Sequence, residues 1–530
     1  MILINDKNRK WWTLIAISAC LAIVYLDQTG VALTLESIQR TLNLSNLSVQ
    51  WVVNSYLLTL SVLMLLGGRF ADIFGHRRIF LIGMSFFLIA SICCATATVG
   101  WWLILSRAFQ GLGGAFLIPT SLVLVANSVK IEDRGKVIGA CISFASAFLA
   151  FGPTIGGALT EFWNWRLIFW INIPIGLISI LLTLFSVPKE GSKNSKAKMD
   201  WPGFITLSIS LTCLVTAFMQ GALWGWSSPK ILLLFATFIV FILLFLRIDL
   251  YADSPLINLN LFRNPTFFGG NIILFFLQTC HISSAVFWVL YLQNVLGYSA
   301  GKAGLFILPV TLPVMFSAQM SGRLLDRYGP CLPISLGLCM SMIGVLWVAI
   351  FANAHHYFLL FPGFLLYGIG APLAIPAAMT TVISSVTRKD HGMASGMANT
   401  MRQIGGALGL SIIGAIITSV NHAQLGRFLS DATGVVHLLQ ENQLEKFLTT
   451  TSYANGSILG LSLQDIFTIH DAVINAYANA FAYGMFVAAL FAFFAFVLAV
   501  SIFKKSHCIV VDATVKVESI GQSLEKGTIS

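Results

Sequence analysis

The chain has 530 residues, of which 57% are hydrophobic and only 10% are Asp, Glu, Lys or Arg, against about 25% charged in a soluble globular protein. So apolar a composition cannot cover a water-facing surface, and its long continuous apolar runs also exclude an outer-membrane barrel, whose strands alternate over about ten residues. Runs of roughly 18 residues or more, enough helix to cross about 30 Å of hydrocarbon, fall at 11–33, 49–67, 79–98, 101–125, 136–160, 166–187, 201–222, 230–249, 266–293, 304–321, 331–352, 357–385, 392–419 and 472–503. The sequence predicts an all-α polytopic membrane protein with 14 transmembrane helices.

With the N-terminus inside, alternate loops and the tails collect 23 of the 31 basic residues, the other side receives six, and Arg107 and Arg402 fall inside apolar segments. That asymmetry predicts both termini in the cytoplasm. The net charge of +10 then reflects topology and attraction to anionic lipid headgroups, and it is no argument for nucleic acid. Eight of the nine cysteines lie within or at the edges of spans, with neither a disulfide framework nor a zinc spacing. The first span follows Lys7, Arg9 and Lys10 but lacks a small-residue cleavage site, so it is expected to be retained.

Between spans 2 and 3 the chain reads Gly68-Arg69-Phe70-Ala71-Asp72-Ile73-Phe74-Gly75, and between spans 10 and 11 Gly322-Arg323-Leu324-Leu325-Asp326-Arg327-Tyr328-Gly329. Gly, Arg, Asp and Gly recur 254 residues apart, an offset that lays spans 1 to 6 on spans 9 to 14 and leaves spans 7 and 8 unpaired. This is the mark of two parallel six-helix halves. The expected organisation is an N-terminal half over 1–187, a linker with two extra spans over 188–265, a C-terminal half over 266–503 with an outward segment at 420–471, and a disordered cytoplasmic tail over 504–530.

Asp27 lies deep in the first span, where an unpaired carboxylate costs about 2.5–3.5 kcal/mol on insertion scales. Its charge should therefore depend on which side the cavity opens, as proton coupling requires; a permanently protonated, helix-packing Asp is the plainer alternative. Arg107 needs an acceptor wherever it is buried, and Asp27 or a helix carbonyl are the candidates. The glycines of the 68–78 loop suit tight turning and close approach, and Asp72 can accept from helix amides or pair with Arg77 or Arg78. Pro153 removes a helical hydrogen bond while Gly152, Gly156 and Gly157 permit close helix contact, which predicts a kinked seam between the halves. The repeat offset carries Asp27 onto His281, which is expected to line the central cavity and sense protons or hydrogen-bond substrate; Gln278 or Ser283 would otherwise satisfy it. Gln28, Asn54, Gln110, Asn399 and Arg402 are the other polar residues expected in the cavity wall. No catalytic constellation, phosphate loop or repeated pore segment occurs, so neither an enzyme nor a channel is expected.

These features resemble the major facilitator superfamily, and the count of 14 spans resembles its EmrB/QacA-type drug:proton antiporter branch. The likeness is carried by Gly68 to Arg78, Arg107 to Gly114 (RAFQGLGG), Gly152 to Gly157 (GPTIGG), Trp163-Asn164-Trp165-Arg166 with Phe169, Asn172, Pro174 and Gly176, Asn399 to Gly406 (NTMRQIGG), and Leu26-Asp27-Gln28-Thr29. Glu36 stands where the branch usually has proline, and Phe148 where the motif around Pro153 usually opens with glycine. The resemblance implies proton transfer through Asp27 and Arg107, and a latch of Gly68, Asp72, Gly75, Arg77, Arg78 and Asp326 on the cytoplasmic face that breaks when the transporter switches state. It also implies export of amphipathic drugs across the inner membrane, driven by the proton gradient without a cofactor. Partners would be the small-molecule substrate, protons and the bilayer, and the sequence neither requires nor excludes a periplasmic adaptor. A dedicated metabolite, siderophore or lipid transporter stays open as an alternative, as does a transport-inactive sensor. The scarcity of intramembrane acids weakens the case for multiply charged cations.

Overall fold

The computed structural model describes residues 8–129, 134–188, 200–252, 259–387, 391–431 and 463–526. The described residues are helical and contain no strand. The N-terminal half comprises α1 (Arg9–Leu42), α2 (Asn46–Phe74), α3 (His76–Ala95), α4 (Gly100–Asn127), α5 (Arg134–Phe162), α6 (Leu167–Trp170) and α7 (Asn172–Ser186). The two extra helices are α8 (Trp201–Trp224) and α9 (Pro229–Tyr251). The C-terminal half comprises α10 (Pro265–Asn294), α11 (Ala300–Phe306), α12 (Leu308–Thr311), α13 (Val314–Tyr328), α14 (Cys331–Phe351), α15 (Tyr357–Ser384), α16 (His391–Asp431) and α17 (Leu463–Lys526).

Among the described residues, 12 helices are long and apolar enough to cross a membrane, and a thirteenth span is formed by the pair Ala300–Phe306 and Leu308–Tyr328, bent by 40°. Pro309 and Pro313 lie at that bend, where two missing N–H groups interrupt the helical ladder. The expected span at 136–160 falls on α5, a helix of 29 residues, several of whose side chains lie outside the described set. The first span is longer than its apolar stretch. It continues through the Glu36–Arg40 ion pair, an i,i+4 contact at the position where a proline was expected, and stops at Asn43 in the left-handed region with φ 51°. At the other end of the chain, α17 runs on to Lys526, past Phe503, where a disordered tail was expected. No proline interrupts 504–526, and a helix already nucleated in the membrane propagates easily. The outward segment is helical at both ends, to Asp431 and from Leu463, while residues 432–462 lie outside the described set.

The repeated loop motif performs one local task twice. Gly75 (φ 94°) and Gly329 (φ 73°) both take a positive φ, and each donates its N–H to the carbonyl four residues back, Ala71 and Leu325 respectively, at 2.9 Å. A glycine is needed at both places because side chains rarely adopt that backbone conformation. Gly68 is not a close-approach site: a Cβ there would meet only Pro119, at 3.9 Å, whereas its neighbour Gly67 lies against the carbonyl of Ala115 in α4.

The extra helices take different positions. α8 packs against both α2 and α16 and so bridges the halves, with Leu207, Leu211, Val215 and Met219 entering the common core. α9 has a mean hydropathy of 2.9 but buries little of itself, as suits a helix facing lipid. The polar stretches 189–199 and 253–258, expected as linkers, lie outside the described residues.

The face holding the basic loops is termed here the basic face. Five hydrogen bonds that join the halves lie toward the opposite face. Glu161 of α5 accepts from Ser299 Oγ at 2.8 Å and from the Gly301 amide at 2.5 Å, Thr154 donates to the carbonyl of Gly304 at 3.0 Å, Gln293 donates to that of Leu33 at 3.2 Å, and Asn54 Nδ2 donates to Ser411 Oγ at 2.6 Å. The molecule is closed on that face. The small-residue motif of α5 divides its work. Gly152 and Gly156 lie against Thr29 and Gly30 of α1, inside the N-terminal half, while Gly157 lies against Ala300 and the Pro153 carbonyl is 3.0 Å from a Cβ built on Gly304. Only part of the motif forms the seam between halves expected from the sequence.

This division predicts separable effects. Gly156→Val should lower the thermal unfolding temperature of the purified protein by roughly 5 °C or more, since its side chain would meet the Gly30 backbone. Gly157→Val should cost less stability and increase maleimide labelling of a cysteine placed at Thr154. Equal stability losses with unchanged labelling would contradict the division.

Candidate functional site

Asp27 sits about 27 Å along α1 from its start, at 1.5 Å per residue, and is completely buried. Arg107, one turn before Gly111 of α4, is 1% exposed. Gly111 allows this meeting, because a Cβ there would come within 2.5 Å of the Tyr56 carbonyl in α2. Arg107 Nη1 lies 2.5 Å from Asp27 Oδ2 and 2.5 Å from Gln110 Oε1, and its Nε donates to the Val52 carbonyl at 3.1 Å. The guanidinium is covered by the Tyr56 ring at 4.4 Å and the Phe169 ring at 5.7 Å.

The second carboxylate oxygen is held as well. Gln110 Nε2 donates to Asp27 Oδ1 at 3.0 Å and Asn172 Nδ2 approaches it at 3.5 Å, while both amides also reach Ser91 Oγ, at 2.9 and 3.2 Å. Every polar neighbour of Asp27 is a donor, an arrangement that suits the ionised carboxylate, which only accepts. Four helices contribute, α1, α3, α4 and α7, with α2 supplying the Val52 carbonyl and the Tyr56 ring. The site is therefore a buried, charge-compensated knot inside the N-terminal half. Two atoms in it, Tyr56 Oη and Asn172 Oδ1, have no hydrogen-bond partner among the described residues.

The sequence-derived pairing of Asp27 with Arg107 is present, and so is the alternative of a helix carbonyl, since Arg107 uses both. Gln110, expected in the cavity wall, is fully buried in the knot, because its amide completes the carboxylate's shell. Asn54, also expected there, is fully buried too: it is committed to Ser411 and, at 2.9 Å, to Met219 Sδ of α8. Gln28, His281, Asn399 and Arg402 are half-buried. His281 Nδ1 lies 2.9 Å from the Tyr367 hydroxyl of α15, with the two rings stacked, so its partner is neither Gln278 nor Ser283. Asn399 Nδ2 donates to its own helix at the Ser395 carbonyl, and Arg402 Nε approaches Gln278 Oε1 at 3.4 Å.

On the basic face, Asp72 lies 3.6 Å from His76, and Arg77 donates to the Leu184 carbonyl at 2.8 Å. Arg9 donates to the Ser186 carbonyl at 2.7 Å, so two arginines from α1 and α3 satisfy the last carbonyls of α7, where positive charge is favoured. Asp326 and Arg78 are exposed. Among the described residues no group of three or more His, Cys, Asp or Glu could hold a metal.

Sequence reasoning passed over Tyr56, Ser91 and the Val52 carbonyl, and met Phe169 and Asn172 only as parts of a motif. A polar Asn172 in an otherwise apolar run, following Trp165-Arg166, was the available signal. That motif turns the chain from α5 into α6: Asn164 Oδ1 accepts from the Arg166 amide at 3.0 Å, and Arg166 lies over the Trp165 ring and donates to the Ala97 carbonyl at 2.8 Å. The turn delivers Phe169 and Asn172 to the ion pair.

A family model described as the Major Facilitator Superfamily matches residues 17–410. The chain belongs to this superfamily. It is 34% identical over 427 residues to the multidrug resistance protein Stp of Mycobacterium tuberculosis, covering 79% of this chain and 78% of that one. It is 29% identical over 413 residues to the tetracenomycin C resistance and export protein of Streptomyces glaucescens, covering 78% and 77%. The fold is similar to that of a bacterial homologue of the human lysosomal transporter Spinster, solved in an inward-facing, unoccupied conformation, with a TM-score of 0.63, 16% identity, and coverage of 94% of this chain and 99% of that one.

The knot makes opposite demands on its two charges. Arg107→Ala should destabilise the protein by about 3–5 kcal/mol, the cost of leaving a buried charge alone, measured by thermal unfolding in detergent. Arg107→Lys should retain the fold better yet lose roughly tenfold or more of transport, because one ammonium cannot serve both the Val52 carbonyl and the carboxylate. Full transport by the lysine variant would show that Arg107 acts as a point charge.

Proposed function

We propose that the protein is a proton-driven antiporter that exports amphipathic small molecules across the cytoplasmic membrane, with the basic face and both termini in the cytoplasm. The observation that carries this reading is the sealed Asp27–Arg107 pair. It lies in a half closed toward the opposite face, where a carboxylate surrounded only by donors holds its charge until the surroundings change.

When the halves rock and the opposite face opens, a proton from water on that side adds to an Asp27 oxygen and the ion pair loses its attraction. Arg107 keeps its charge and is left with Gln110 and the Val52 carbonyl. Loss of the ion pair loosens the contact between α1 and α4, and that rearrangement couples protonation to release of substrate outward and return to the closed arrangement. On the return, Asp27 gives its proton to the cytoplasmic side and the pair re-forms. The relatives named for drug resistance and export support this direction, and the basic loops support the orientation through the positive-inside rule.

Proteoliposomes with an imposed pH gradient test the reading. A fluorescent amphipathic dye should be moved against its gradient by the wild type, and the movement should stop on adding a protonophore. Asp27→Asn keeps the side chain's shape and removes the titratable group, so it should insert and fold but lose at least tenfold of gradient-driven transport. Concentrative transport by the asparagine variant at the wild-type rate would reject Asp27 as the coupling group.

A further inference from the structure

Among the described residues, three charged side chains lie at mid-depth of the spans: Asp27, Arg107 and Arg402. The first two neutralise each other. Arg402 has no such partner. Among the described residues its hydrogen bond is the long contact from Nε to Gln278 Oε1 at 3.4 Å, which engages one of its five donor hydrogens. Among the described residues no carboxylate forms an ion pair with it. Beside it, His281 is committed through Nδ1 to Tyr367, and Tyr367 is wedged edge-on against Trp288 with ring centroids 5.0 Å apart. That packing fixes the imidazole and leaves its Nε2 as a second polar group at the same place.

α16 reaches this position by close contact with α10. Gly405 lies against the Phe275 carbonyl and Gly409 against the Thr279 carbonyl, so the backbone that carries Arg402 is held rigidly, while the half-buried guanidinium stays free to meet a ligand. An uncompensated charge in the middle of a membrane protein is costly, and such residues mark ligand pathways. α10, which carries His281, also packs against α1 of the other half.

Building on the exporter reading above, we propose that Arg402 is the anion-recognition group of the substrate site, and that the substrate class is an amphipathic molecule carrying a carboxylate or a comparable pair of anionic oxygens. The planar guanidinium fork matches two such oxygens, with His281, one turn from Gln278 on α10, as a further hydrogen-bonding group. Binding of the anion supplies the missing countercharge.

The test uses three dansyl compounds with the same six-carbon chain, ending in a carboxylate, a primary amide or an ammonium. Equilibrium affinity is read by energy transfer from protein tryptophans in nanodiscs of phosphatidylcholine, at one pH and with no gradient, so that the result is independent of whether protons drive transport. The wild type should bind the carboxylate roughly tenfold or more tighter than the amide, and the ammonium most weakly. Arg402→Gln should bring carboxylate and amide within about twofold of each other, the size of effect expected for losing a charge-assisted bond while keeping the amide contact, and Arg402→Lys should keep part of the preference. The wild-type ranking tests the proposal even if a variant fails to fold. An ammonium probe bound as tightly as the carboxylate, or an undiminished preference in Arg402→Gln, would overturn it. Loss of the wild-type preference when phosphatidylglycerol is added to the nanodiscs would assign the guanidinium to a lipid headgroup and also overturn it. A carboxylate preference without proton-driven transport would reject the exporter reading and leave the anion site standing.

Discussion

A carboxylate and a guanidinium buried together in hydrocarbon are tolerable only as a pair, and this requirement organises the N-terminal half. Asp27 and Arg107 are each 1% exposed or less, so either alone would carry the full cost of a lone charge in a membrane. The surrounding helices are drawn in to satisfy what remains of their hydrogen-bonding capacity: Gln110 and Asn172 on the carboxylate, the Val52 carbonyl on the guanidinium, and Ser91 holding both amides. The Tyr56 and Phe169 rings lie 4.4 and 5.7 Å from the guanidinium carbon. Gly111 then follows as a steric necessity, since α4 must approach the α2 backbone closely enough to bring Arg107 to the Val52 carbonyl.

Among the described residues the C-terminal half has no equivalent knot. At the symmetric depth it has a histidine bonded to a tyrosine and an arginine bonded weakly to a glutamine. The two halves share a frame and differ in where their charge is compensated: internally in the first, and by an incoming ligand in the second under the proposal for Arg402. Contacts between the halves gather toward one face, through Glu161, Thr154, Gln293 and Asn54. These hydrogen bonds add to an apolar core that both halves share. α8 lies across the junction and holds α2 and α16 together through Met219, whereas α9 adds apolar surface toward lipid.

Much of this was legible in the sequence because the bilayer imposes few solutions. Length of apolar run gave the spans, the basic loops gave their alternation, and the recurrence of Gly68 to Gly75 at Gly322 to Gly329 gave the two halves, whose glycines share a backbone conformation. Asp27 and Arg107 stood out because charge in an apolar run demands a partner. What stayed hidden depends on rotation about helix axes, which composition does not encode. Gln110 lies three residues from Arg107 and turns into the knot, while Asn54 turns toward Ser411; as sequence, both read simply as polar residues in a span. Tyr56 and Phe169 read as ordinary membrane aromatics. The helix bend near Ile307 was foreseeable from Pro309 and Pro313, but the continuation of α1 to Leu42 through the Glu36–Arg40 pair was not, because that turn is polar.

The central claim is that the charge state of Asp27 sets which face of the molecule is open. Its most direct test is the distance between spin labels at Phe74 and Tyr328, at the basic-face ends of α2 and α13 in opposite halves, measured by pulsed electron resonance with the native cysteines replaced. The account predicts that the wild-type distance distribution shifts between pH 8 and pH 5 and that Asp27→Asn gives a single distribution at both. A pH-dependent shift in the asparagine variant equal to that of the wild type would contradict it.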